Sequence, residues 1–180
     1  MMKRIVSTLF VFVWTVVAFA QGSLLKQTLE IAEVEINDGA VTLSVFDMPE
    51  AEQHNYYLCV GTLGIGDDFI QLHLDPVFQL FIPLGNTLED AQAKLETFRD
   101  IAKEPAGTEM ETVGTLALAN PSTGEIEPVY VTSRRFLIQK LTEFSIKREG
   151  YIRATHIAKG ELGTLVNGVK LYRKIHPKEE

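Results

Sequence analysis

Ala32-Glu33-Val34-Glu35-Ile36-Asn37-Asp38-Gly39-Ala40-Val41-Thr42-Leu43-Ser44-Val45 is the stretch whose reading decides the fold. Apolar and polar residues alternate on both sides of Asp38-Gly39, and alternation with period two is the signature of a half-buried strand. Asp-Gly suits a two-residue hairpin turn, because both central positions need positive φ angles. With the turn placed there, Ile36 faces Val41, Val34 faces Leu43 and Ala32 faces Val45. Glu35 then lies against Thr42, and Glu33 against Ser44. One face is apolar and the other wet, as an antiparallel pair over a core requires. A slip of one residue would turn the apolar set to solvent, so the register is strongly specified.

Working outward, the same logic applies to Arg148-Glu149-Gly150. A two-residue turn at Glu149-Gly150 opposes Ile146 to Arg153 and mixes the faces. A three-residue loop with Gly150 in the left-handed conformation instead places Phe144 and Ile146 against Ala154 and Ile152. The expectation is the longer loop, with Lys147 and Arg153 on one solvent face. A third hairpin is expected at Asn167-Gly168, setting Val166 against Val169. Further strands are expected over 56–63, 69–74, 77–82, 111–119 and 126–133, with Pro121-Ser122-Thr123-Gly124 as a turn. The segment 134–141 carries helix-like spacing at Leu137, Leu141 and Phe144, yet it leads into a hairpin.

One helix is expected at about 88–103, in the middle of the chain. Leu88, Ala91, Leu95 and Phe98 recur at spacings of three and four, forming one apolar stripe. Thr87 is placed to cap the first turn, Glu89 and Asp90 suit its positive end, and Pro105 and Gly107 stop it. About nine strands around one helix predict a mainly β (α+β) fold, an antiparallel sandwich or barrel. No sequence repeat is visible.

The N-terminus reads as an export signal. Lys3 and Arg4 precede sixteen uncharged residues, 5–20, which end with Ala18 and Ala20 ahead of Gln21. A membrane span needs about 20 apolar residues, so cleavage is expected rather than anchoring. The expected organisation is residues 1–20 as signal peptide and 21–180 as a single β-rich domain, exported to a periplasmic or extracellular location. After such a cut the chain has no tryptophan, because Trp14 is the only one. Cys59 is the only cysteine. It lies in the apolar run 56–60, which predicts a buried, inert thiol.

Charge is divided unevenly. Residues 21–133 hold four basic and nineteen acidic side chains, whereas residues 134–180 hold eleven basic and five acidic. The strand-like pattern of the basic third argues against a nucleic-acid-binding tail. Either it presents an anion-binding patch or it balances the acidic part of the same domain.

Motifs for catalysis are missing. Gly61, Gly64 and Gly66 lack the further glycine and the lysine that phosphate-binding loops carry. His54, His73, His156 and His176 are too scattered in sequence to suggest a metal site, and no metal or cofactor is expected. Asp67, Asp68, His73 and Asp75 form the densest acid–base group, and paired carboxylates can perform hydrolysis. Aspartates at the entry to a strand more often bond their own backbone. The other candidate group is Arg134, Arg135, Lys147 and Arg153, suited to an anionic ligand, a lipid headgroup or an acidic partner.

The expected role is therefore a non-enzymatic exported binding or structural domain, with an envelope or extracellular macromolecule as partner and no membrane span after cleavage. The alternatives are a small secreted hydrolase built around Asp67 to Asp75, and a carrier of apolar ligands should a barrel enclose an open interior. A deep pocket holding His73 would favour the hydrolase. A contiguous basic or apolar surface patch would favour the binder.

Overall fold

The computed structural model describes residues 29–36, 41–49, 53–60, 64–65, 79–117, 121–148 and 151–177. Within them the fold is mainly β, with eight strands in one open antiparallel sheet and two helices. The strands are β1 (Leu29–Ile36), β2 (Val41–Asp47), β3 (Tyr56–Val60), β4 (Gln79–Gly85), β5 (Glu109–Ala117), β6 (Glu125–Phe136), β7 (Gln139–Arg148) and β8 (Tyr151–Ala158). Helix α1 (Leu88–Ile101) follows β4, and α2 (Lys159–Ile175) follows β8. Strand order in the sheet equals chain order, so the sheet is a continuous meander. Four strands and a helix occur twice in succession, a structural repeat that the sequence does not display. The two-residue stretch Gly64–Ile65 adds an antiparallel bridge along the outer edge of β8.

The first hairpin has the register expected for it: Ile36 pairs with Val41, Val34 with Leu43 and Ala32 with Val45. Its turn, at Asp38-Gly39, lies outside the described residues. Helix α1 also follows its sequence signals. The Thr87 hydroxyl accepts a hydrogen bond from the Asp90 amide (3.1 Å), capping the first turn, and donates to the Asp90 carboxylate (2.8 Å). Leu88, Ala91, Leu95, Phe98 and Ile101 are the residues α1 buries.

Three expectations are corrected. The β7–β8 hairpin takes the shorter connection: Arg148 pairs with Tyr151 and Ile146 with Arg153. The longer loop was inferred from a wet outer face on β7, but Glu143 and Ser145 on that face are buried too. Alternation therefore could not discriminate between the registers. As a result, positions 147 and 153 fall on opposite faces of the sheet.

The second correction concerns Asn167-Gly168, which lies inside α2 rather than in a turn. Leu162, Leu165, Val166 and Val169 are its buried stripe, at spacings of three, one and three. The Ala158 amide donates to the Glu161 carboxylate (2.6 Å) and closes the first turn. Gly168 serves packing: a Cβ there would lie 2.8 Å from Ala32 Cβ on β1. The glycine lets helix and strand approach where a larger residue would hold them apart.

The third correction is architectural. Neither a second sheet nor a closed barrel forms among the described residues, because the two helices occupy the position a second sheet would take. Helix α2 packs on β1 and β2 at one end of the sheet and on β7 and β8 at the other. Gly64, paired to Ala154 of β8, lies only four residues beyond Val60 of β3. That span is at most about 14 Å, whereas β3 and β8 would stand about 24 Å apart in a flat sheet. The sheet therefore curls around the helices. Its concave face supplies Leu43, Leu58, Leu80, Ile82 and Phe144 to one core with both helices. Phe98 of α1 meets Phe144 edge to face, centroids 5.4 Å apart, and Thr142 donates to the Phe98 carbonyl (2.9 Å).

Candidate functional site

Strands β6 and β7 are the two longest of the sheet, and their length creates the site. Pairing of β6 with β5 ends at Thr132–Glu109, and pairing of β7 with β8 ends at Leu141–Ala158. Ser133 is still held on the β5 side, its amide donating to the Thr108 carbonyl and its carbonyl accepting from the Gly107 amide (2.8 Å each). Beyond it β6 and β7 pair only with one another, through Arg134–Leu141, Arg135–Lys140 and Phe136–Gln139. The hairpin thus overhangs both neighbouring strands. From Ser133 to Leu137 the chain advances four residues, about 13 Å at the usual strand rise.

The turn that ends this overhang is Leu137-Ile138. Leu137 has φ +54° and is the only non-glycine residue with positive φ among the described residues. A turn with positive φ only at its first central position has the II′ pattern, which normally carries glycine there. Phe136, Leu137 and Ile138 are 65%, 87% and 96% exposed. Three contiguous large apolar side chains thus stand in solvent, one on a backbone that leucine disfavours.

Basic residues ring the tip. Arg135 and Lys140 are a cross-strand pair, both exposed, and neither forms an ion pair among the described residues. Like charges directly opposite one another are destabilising unless an anion joins them. Arg134 lies on the other face and is engaged: its Nε and Nη2 donate to the two Glu143 oxygens at 3.1 and 2.9 Å. Hydrogen bonding to Glu143 raises the Arg134 pKa further. His156 Nε2 lies 2.8 Å from the same carboxylate.

Lys147 is also engaged. Its ammonium bonds Glu109 (3.1 Å) and sits 3.9 Å from the centre of the Tyr130 ring. The Lys147 hydrogen bond holds the Glu109 carboxyl below its ordinary range. Farther along, Lys170 and Arg173 of α2 reach Glu96 (2.7 Å) and Glu89 (3.4 Å) of α1. Lys147, Lys170 and Arg173 of the basic third thus balance carboxylates of the acidic part of the chain.

Of the four expected basic residues, Arg134 and Lys147 face the same way and are bound to carboxylates, and Arg135 stands at the tip with Lys140. Position 153 pairs with Ile146 in the register, and its side chain lies outside the described residues. Asp67, Asp68, His73 and Asp75 lie outside the described residues. Phe136, Leu137, Ile138 and Lys140 were missed by sequence reasoning. The available signal was Arg134-Arg135-Phe136-Leu137-Ile138-Gln139-Lys140, an apolar triplet between bases with no turn residue in it.

Two other features compete for attention. Asp47 accepts from His54 Nδ1 (2.6 Å) and from the Asn55 amide (3.3 Å), and Asn86 binds the His54 carbonyl (2.8 Å). His54 also stacks on Tyr56. These bonds fasten the β2–β3 connection to the start of α1, which is a structural task. An open groove of about 580 Å³ lies beside the C-terminal half of α1, lined in part by Glu96, Asp100, Glu104 and Glu109. Three of these carboxylates are already bonded to Lys170, to Arg99 with Lys103, and to Lys147.

Among the described residues no cluster of three His, Cys, Asp or Glu side chains could hold a metal ion, and no helix is long and apolar enough to cross a membrane. Comparison with known protein families, with curated proteins and with solved structures finds no match.

Proposed function

We propose that the protein is an exported, non-enzymatic binding domain whose recognition element is the tip of the β6–β7 hairpin. The observation that carries this reading is Leu137: a large apolar side chain, almost fully exposed, held at positive φ beside two others. Backbone preference favours glycine at that position and solubility favours a polar residue. A side chain that serves neither is explained by a contact made with something else. The remaining exposed apolar residues are spread over the outer face and α2, as is ordinary for a folded protein. Filling of the concave face by α1 and α2 disfavours the carrier of apolar ligands. The hydrolase rests on Asp67, Asp68, His73 and Asp75 and gains no support from the described residues.

The test is retention on an envelope preparation from the native host. Wild type is compared with the triple substitution Phe136→Ser, Leu137→Gly, Ile138→Ser and with a control, Val113→Ser, Ile126→Ser. The tip variant loses retention and the control keeps it. Equal retention of both variants would overturn the reading.

A further inference from the structure

The shape and charge of the tip identify what it fits. We infer that the β6–β7 hairpin docks onto an anionic bilayer surface, with Phe136, Leu137 and Ile138 entering the interface and Arg135 and Lys140 meeting lipid phosphates. This rests on the reading that the tip is the recognition element, and it adds the class of partner.

Three observations lead there. First, the apolar residues are convex, at the end of an overhang clear of β5 and β8. A single protruding apolar knob can be buried by a fluid interface without a preformed groove, and amphipathic elements bury apolar residues some 5–10 Å into that boundary. Second, Arg135 and Lys140 oppose each other across the hairpin with no carboxylate between them. A phosphate placed there relieves their repulsion and gains two charge-assisted contacts. The pair sits directly behind the apolar residues, the order in which a bilayer presents acyl chains and headgroup charge.

Third, the acidity of the domain does not reach the tip. Of the glutamates at the root of the overhang, Glu143 is bonded to Arg134 with His156, Glu109 to Lys147, and Glu161 to the Ala158 amide opposite Leu141. Glu104, whose carbonyl accepts from the Ser133 hydroxyl, stands back with Ser133, about 13 Å of strand from Leu137. Glu109 pairs with Thr132, about 17 Å of strand from Leu137. The Debye length is about 8 Å at physiological ionic strength, so an approaching surface meets Arg135 and Lys140 before it meets the acidic body. A second copy of the chain is a poorer occupant, because two such tips would bring four unpaired cations together.

The experiment uses the full chain carrying Trp14→Phe and Ile138→Trp, so that the only tryptophan reports the tip and residues 5–20 are silent. Its emission is followed during titration with vesicles of phosphatidylcholine alone and with vesicles containing three parts in ten of phosphatidylglycerol. The expected result is a blue shift with the anionic vesicles, reversed by high salt. Adding Arg135→Gln and Lys140→Gln weakens partitioning about 30-fold, from the usual contribution of two basic residues at an anionic surface. An equal shift on neutral vesicles would overturn the anionic part of the inference. No shift on either, while the tip triple still abolishes envelope retention, would overturn the lipid and leave a protein partner of the same tip. If the tip triple also leaves retention unchanged, the underlying reading fails with it.

Discussion

Replacing Leu137 separates what the backbone wants from what the surface carries. An L-residue at positive φ costs roughly 1–2 kcal/mol, and Leu137 sits at +54°. Its side chain is 87% exposed, so truncation forfeits only about 0.3 kcal/mol of the ~2 kcal/mol that full leucine burial provides. Leu137→Ala loses that small amount and keeps the strain, because the Cβ causes it. Leu137→Gly removes the strain and returns about 0.5–1 kcal/mol through the freer unfolded chain. Glycine should therefore exceed alanine by about 1 kcal/mol, the usual margin at positive φ. For a chain of this size that is a Tm about 2–4 °C higher. Thermal unfolding followed by circular dichroism reads the difference directly. The same glycine variant should bind envelope material less well than wild type, so that stability rises where function falls. An alanine variant that melts at or above the glycine variant would refute the claim that the turn is strained.

Helix α2 offers a paired test. Gly163→Ala has only Arg99 Cδ, at 4.0 Å, near the new methyl and should gain about 0.5–1 kcal/mol from helix propensity. Gly168→Ala drives a Cβ to 2.8 Å from Ala32 and should lose about 1–3 kcal/mol; urea unfolding of the two variants should show opposite signs. Acid should destabilise the fold. Lys170 lowers the Glu96 pKa, Arg99 and then Lys103 lower that of Asp100, and Lys147 lowers that of Glu109. Groups depressed on folding stabilise above their ordinary values of 3.8 to 4.5 and lose that contribution as pH falls below them. The Tm should be level between about pH 7 and 5 and drop below about 4.5; Glu30, whose pKa burial and Glu33 raise, acts in the opposite sense. A Tm that rises on acidification would contradict the ion-pair assignment. Finally, burial pushes the Cys59 thiol up to about 12. Native protein should resist maleimide at pH 8 and react once unfolded in guanidinium.

Sequence reasoning read β1–β2 and α1 correctly because β1 and α1 each have one buried face and one wet one, and both elements carry explicit end signals. Asp38-Gly39 and the 32–36 alternation specify one register; Thr87 and Pro105 bracket one apolar stripe. Reasoning failed where both faces are covered. On β7, Phe144 and Ser145 are both buried, so period two conveyed nothing about the turn at Glu149-Gly150. It failed again where a dipeptide had two physical uses. Asn167-Gly168 resembles a hairpin turn, but Gly168 is there for its missing Cβ against Ala32. The tip was hidden for the opposite reason. Leu137 violates the turn chemistry that a sequence reading relies on, and such violations concentrate at functional and strained sites. Of the expected basic group, Arg134 and Lys147 are bonded to carboxylates, whereas Arg135 has no ion-pair partner among the described residues. Arg134 and Lys147 could not be separated from it by sequence, because their carboxylate partners, Glu143 and Glu109, lie nine and thirty-eight residues away.

Residue-resolved hydroxyl-radical footprinting of the protein, free and bound to native envelope, tests the tip without altering it. Labelling at Phe136, Leu137 and Ile138 should fall on binding while Ile126 and Leu171 stay as reactive as before. Protection centred on Ile126 or Leu171, with the tip still fully labelled, would contradict the account.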